Sequence, residues 1–326
     1  MDIKAVKFRK SGFYTQPFAF GGEEGTDKFD KNIRYRGSLQ NYLIDTGDEV
    51  ILVDSGLPAG TPEENPDENS LVYTGKDICS YMEAFAALGY KPEQVTKILL
   101  THKHSDHSGE LKSFPNAKIY VNEEELSAAE LQGIENIEPV KFTDGAYHNF
   151  PDSQKIVDGV YFIKAKGHTN GNSIVIVEND GLFYMIHGDI TYVDEALYEN
   201  KLSVVFDDLA EARITLDRVR EFIRNNPTVY MGTHNLRDMR TLKPRESWTS
   251  IILSRPSLRS SISKRRKQLE STSAQSAVIY TTRLSMTELH SRTFLLTGNV
   301  PDVSSPKTSL IRHKLCRENL QNYLPR

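Results

Sequence analysis

Three histidines and an aspartate fall within six positions of the stretch THKHSDHSG at residues 101–109, namely His102, His104, Asp106 and His107. The whole chain has only nine histidines, so the density points to a metal. A tetrahedral zinc site takes three or four ligands at fixed angles, and one ion cannot easily use all four of these residues. Two adjacent ions can, with His102 and His104 on one and Asp106 and His107 on the other. Such a pair can share one water, lower its pKa towards neutrality and polarise a carbonyl under attack. Neutral imidazole is the ligating form, so acid should weaken binding.

Each ion would still lack ligands, and the sequence offers three candidates in matching contexts. His168 follows VYFIKAKG, Asp189 follows LFYMIHG and His234 follows TVYMGT. Each sits just past an apolar run and beside a glycine, which permits a sharp turn at a sheet edge. His148, His187, His290 and His313 stand alone, and a lone histidine is usually structural, so these four read as structural.

The elements that must carry these residues alternate between strand and helix patterns. NYLIDTGDEVILVDSG (41–56) reads as a hairpin, followed by a polar loop at 57–70. Ile78, Tyr81, Met82, Phe85 and Leu88 have helical spacing, which predicts an amphipathic helix from Lys76. Ile98, Leu99 and Leu100 form a buried-strand run that ends in the histidine cluster. AKIYV (117–121) predicts a strand and NEEELSAAELQ (122–132) a helix. Runs at 160–163, 173–177, 182–186 and 228–231 predict strands, and Leu209, Ala212, Leu216, Val219 and Ile223 mark a helix opened by Asp207 and Asp208. The aromatic stretch SGFYTQPFAFGG (11–22) fits either core packing or a substrate entrance. Together these elements imply an α/β domain of mixed sheets covered by helices.

The chain has 326 residues, 38% of them hydrophobic, enough for a sizeable core and more than one compact domain needs. No run approaches the roughly 18 apolar residues of a membrane span, and the N-terminus lacks the apolar stretch of a secretory signal. The sequence therefore reads as soluble and cytoplasmic. Cys79 and Cys316 are the only cysteines, too few for a Cys-rich zinc cluster, which leaves His and Asp to hold metal. Net charge is −4, but residues 241–326 hold 15 Lys and Arg against 5 Asp and Glu. The preceding 240 residues hold 25 against 39, a balance that disfavours a nucleic-acid substrate. We divide the chain into a catalytic domain at 1–240 and a basic, Ser-rich extension at 241–326. That extension, with KRRK at 264–267 and a strand-like SAVIYTTRL at 276–284, reads as weakly ordered. A partner-binding arm and a segment foreign to the domain are the alternatives.

THKHSDHSG resembles the HxHxDH motif of the metallo-β-lactamase superfamily, and His168, Asp189 and His234 match the later ligands of its hydrolases in order and context. ILVDSG (51–56) resembles the early Asp-containing turn of that superfamily and puts Asp54 in a supporting role. The resemblance spans roughly residues 1–236 and implies a four-layer αββα sandwich with the site at one edge of two sheets. It implies His102, His104 and His168 on a first ion, Asp106, His107 and His234 on a second, and Asp189 bridging. The ions would be two Zn2+, with Fe, Mn or Co as other divalent choices, and no organic cofactor is implied. DITY (189–192) looks like the stretch of N-acyl-homoserine lactonases whose tyrosine contacts the substrate carbonyl, which makes Tyr192 an oxyanion donor. Asp106 or Asp189 would carry the proton to the leaving oxygen after hydroxide attack. Asn172 departs from the GHxxGH pattern of related hydrolases, at a position that does not ligate metal. The implied partner is a small-molecule lactone or ester. A thioester hydrolase of the glyoxalase II type is the alternative, and a di-iron redox protein and a non-enzymatic binding module stand below it.

Overall fold

The computed structural model describes residues 1–235, and every strand and helix named below lies among them. One sheet contains β1 (Asp2–Thr15), β2 (Arg34–Asp45), β3 (Val50–Val53), β4 (Val72–Tyr73), β5 (Lys76–Asp77), β6 (Val95–Leu100), β7 (Lys118–Asn122) and β8 (Ile137–Val140). Its order is β4-β1-β2-β3-β6-β7-β8, with β5 paired to β1. The second contains β9 (Gly145–Tyr147), β10 (Phe150–Val157), β11 (Val160–Lys164), β12 (Ser173–Asn179), β13 (Leu182–Ile186) and β14 (Thr228–Met231), in the order β14-β13-β12-β11-β10-β9. The helices are α1 (Gln16–Glu24), α2 (Tyr81–Ala87), α3 (Ser105–Ser108), α4 (Asp194–Glu199) and α5 (Leu209–Asn225).

Successive strand side chains point to opposite faces, and here both faces of each sheet are buried. Tyr42, Ile44, Ile51, Val53 and Leu99 meet Phe162, Val175, Val177, Ile186 and Met231 between the sheets. Their neighbours Leu43, Leu52, Ile98 and Leu100 turn outward and pack with Tyr81, Ala84 and Phe85 of α2. On the other side Ile163, Ile174, Ile176 and Met185 pack under Leu216, Val219 and Phe222 of α5. Three apolar layers between four layers of structure give the αββα sandwich. Each fully buried Leu, Ile or Phe contributes roughly 1.5–3 kcal/mol, which explains why the strands read as unbroken apolar runs.

The strands expected at 182–186 and 228–231 form with those bounds, and the helix opened by Asp208 forms as α5, where the Asp208 carboxylate accepts from Glu211 N at 3.0 Å. Two expectations need correction. The helix expected from Lys76 begins only at Tyr81, because Ser80 and Glu83 close a capping box there. Lys76–Asp77 instead pairs with β1, and Ile78 N bonds to Phe8 O at 2.8 Å. The helix expected over 122–132 is two short 3-10 turns, Glu123–Glu125 and Ala129–Leu131, the first capped by the Asn122 side chain. The basic extension at 241–326, with KRRK, His290 and His313, lies outside the described residues.

Candidate metal centre

Strand register brings the site together. β13 and β14 are parallel with Ile186 opposite Met231, so Asp189 and His234 emerge three residues later at the same sheet end. β3 and β6 are parallel with Val53 opposite Leu99, which delivers Asp54 beside Thr101 and the histidine loop. Just after β6, the short helix α3 closes when His107 N and Ser108 N bond to His104 O at 2.9 and 3.0 Å. That single turn carries Asp106 and His107 round towards Asp189.

The seven sequence-derived candidates fall into two groups, His102, His104, His168 and Asp189 in one and Asp106, His107, Asp189 and His234 in the other. Within each, one potential ligand atom per residue lies within 4.8 Å of all the others, and Asp189 belongs to both. Seven of the nine histidines of the chain lie among the described residues. Five of them, at 102, 104, 107, 168 and 234, are in these groups. His187 is buried and stacks on Tyr230 at 3.8 Å, and His148 packs its ring on Phe183 and Phe222.

The hydrogen bonds behind the ligands decide which nitrogen faces inward. His168 Nδ1 lies 3.2 Å from Val205 O, an acceptor, so Nδ1 carries the proton and Nε2 presents a lone pair. His107 Nδ1 donates to Asp54 Oδ2 at 2.7 Å, which turns its Nε2 inward. The Thr101 hydroxyl donates to Asp54 Oδ2 at 2.9 Å and so accepts from His102 Nδ1 at 3.0 Å, turning His102 Nε2 inward as well. Asp54 thus orients one histidine of each group. It does so from a left-handed backbone with φ 65°, tolerable for Asp, and with Thr101 N on Oδ1 at 2.7 Å.

These inward atoms test whether a metal fits. His102 Nε2, His104 Nδ1 and His168 Nε2 lie 3.0 to 3.2 Å from one another. Lone pairs from His102 and His168 meeting at that range repel unless a cation lies between them. In the second group His107 Nε2 and Asp189 Oδ1 are buried 3.2 Å apart with no other hydrogen-bond partner. The donor set and its orphaned atoms fit two divalent ions.

Burial holds His102 well below the ordinary histidine range, with neighbouring imidazoles adding to it, and pushes His168 down to about 4. Both are therefore neutral near pH 7. Burial would also lower His107, but the carboxylates of Asp189, Asp54 and Asp106 outweigh it and raise the imidazole well above its usual range. Burial would raise Asp189, and the charges on His234 and His107 outweigh it and hold the carboxyl well below its usual range. Three carboxylates around one imidazole make the second group a seat for positive charge.

Tyr192 stacks on His234 with ring centroids 4.6 Å apart and lies 6.1 Å from the His168 ring, over both groups. Burial, followed by the Asp189 and Asp106 charges, raises its phenol well above the usual range, so it remains an O–H donor. Reasoning from sequence does not single out Tyr14, Thr101 or Glu125. Tyr14 belongs to the aromatic stretch at 11–22, where Phe18 and Phe20 are also buried, and its hydroxyl lies 2.7 Å from His234 Nδ1. That stretch builds the wall behind Tyr192 rather than an exposed entrance. Asn172 is buried and bonds to Ala165 O at 2.8 Å.

Known proteins share this framework. The chain is 26% identical over 210 residues to an N-acyl homoserine lactonase of a Bacillus species, which covers 62% of this chain and 83% of that one. A mutant of B. thuringiensis AiiA with N-decanoyl-L-homoserine bound superposes with a TM-score of 0.58 at 17% identity, over 74% of this chain and 96% of that one. AidC, a dizinc quorum-quenching lactonase, gives 0.52 at 17% identity over 72% and 86%. The sequence pattern of the metallo-beta-lactamase superfamily matches residues 36–234, a span that ends on the last of the seven candidates. With the αββα layers and the HxHxDH loop in place, the chain belongs to the metallo-beta-lactamase superfamily.

Proposed function

We propose that this protein is a dinuclear zinc hydrolase that opens a lactone or carboxylic ester. The observation that carries the reading is the pair of His/Asp groups sharing Asp189, in a chain whose relatives are named N-acyl homoserine lactonases. His102, His104 and His168 would hold the first ion and Asp106, His107 and His234 the second, with Asp189, which belongs to both groups, as a shared ligand. Fe, Mn or Co suits the same imidazole and carboxylate donors. When bound, the ions supply an activated water and polarise the carbonyl under attack.

The chain's own residues do the rest. Tyr192, held as a neutral phenol, donates its O–H to the carbonyl oxygen as negative charge develops there. Asp106 is the more accessible site carboxylate, with 19% of its side chain exposed against 2% for Asp189. It therefore carries the proton to the leaving alkoxide, while Asp189 stays fixed between His107 and His234. Asp54, buried behind the site, orients His107 directly and His102 through the Thr101 hydroxyl.

A panel of lactones, carboxylic esters, glutathione thioesters, β-lactams and phosphodiesters tests the assignment. Turnover confined to lactones and esters is expected. Preference for thioesters would move the assignment to a glyoxalase II-like activity, and preference for phosphodiesters would overturn it.

A further inference from the structure

Glu125 is 2% exposed in the interior of the domain and points its carboxylate at two ligand-bearing loops. Its Oε2 accepts from Lys103 N at 3.2 Å, the peptide between His102 and His104. Its Oε1 accepts from the Thr169 hydroxyl at 2.5 Å and from Gly171 N at 2.8 Å, both just after His168. The fit leaves no space at residue 171, where a Cβ would lie 2.5 Å from Glu125 Cγ and 2.8 Å from Oε1. On the outer side Asp207 repeats the link, with Lys103 Nζ and Asn170 N each 3.2 Å from its Oδ2.

All three histidines of the first group stand on the loops that Glu125 joins. The histidines of the second group are oriented from elsewhere, His107 by Asp54 and His234 by Tyr14. From this division we infer that Glu125 is a positioning residue for the first ion alone, fixing the separation of the 102–104 and 168–171 loops and thereby that ion's affinity. A buried carboxylate facing one hydroxyl and two backbone N–H donors is a stiff spacer, because moving either loop would strand it without donors. The inference rests on the two-ion reading above.

The test is Zn2+ affinity of the full chain, measured by chelator competition and stoichiometric titration, with Co2+ absorption spectra reporting the ligand field. Wild-type protein should take up two equivalents. Glu125→Ala should weaken one equivalent by about 10- to 100-fold and leave the other within about twofold, in line with losses typical of outer-sphere partners. The Co2+ spectrum of that equivalent alone should change. Glu125→Gln should fall between, since its amide keeps one oxygen for Thr169 and Gly171 but sets an NH2 against Lys103 N–H. Should Glu125→Ala not fold, Thr169→Val removes one donor with the carboxylate in place and should weaken the same equivalent by a smaller factor. Equal weakening of both equivalents, or no change in either, would overturn the inference while leaving the two-ion site standing. A wild-type chain that takes up fewer than two equivalents would overturn the two-ion reading itself.

Discussion

The imidazoles of this site are set by what lies behind them. Asp54 accepts from His107 and from the Thr101 hydroxyl that in turn accepts from His102, so one carboxylate fixes two candidate ligands. Tyr192 has a different task, and its removal should separate binding from rate. Tyr192→Phe should keep its metal and lose about 100-fold or more in kcat, as expected for one lost oxyanion donor. Elemental analysis and steady-state kinetics check this, and full turnover would remove Tyr192 from the chemistry. The buried histidines also give a pH dependence in the metal-free chain. His168 and His187 are held at about 4 and about 3, so an unfolded chain binds their protons below about pH 6.5 while the folded one does not. Stability therefore falls as pH drops from about 6 towards 4, a window in which His107 is protonated in both states. Urea unfolding of chelator-treated protein should show a lower midpoint at pH 5 than at pH 6. The seven candidates are legible in sequence because each follows an apolar run beside a glycine or within one dense cluster. Tyr14 and Glu125 are not, because their contacts cross 220 and 46 residues and carry no local pattern.

Elements position the site through register, and register is only partly written in local sequence. The strands buried on both faces stand out as apolar runs, which is why β11 to β14 are foreseen nearly residue by residue. The segments at 76–80 and 122–132 have helical composition, yet tertiary pairing with β1 and close approach of Glu125 to the ligand loops prevail there. Gly167 shows how tightly element and site are joined. It precedes His168 with φ 128°, and a Cβ there would lie 2.2 Å from Ala212 N and Cα in α5. Gly167→Ala should cost about 1–3 kcal/mol from overpacking alone, with backbone strain added. Thermal unfolding should show the loss, and a variant as stable as wild type would mean that α5 does not fix the His168 loop.

Across the whole molecule, all seven candidates and the match to the superfamily end by residue 234. The acidic character of the first 240 residues suits cation uptake and opposes polyanionic substrates. The proposal that residues 1–240 form the catalytic domain predicts that removing 241–326 leaves lactone turnover within about twofold, and an inactive truncation would make the basic extension part of the enzyme. Among the described residues no helix is long and apolar enough to cross a membrane. The central claim is that two ions, held by these seven side chains, drive ester hydrolysis. It is tested most directly by titrating Zn2+ into chelator-stripped full-length protein and following ring opening of an N-acyl-homoserine lactone against equivalents bound. The account predicts no hydrolysis without metal and full activity only as the second equivalent fills. Hydrolysis by the stripped chain, or none with two equivalents bound, would contradict it.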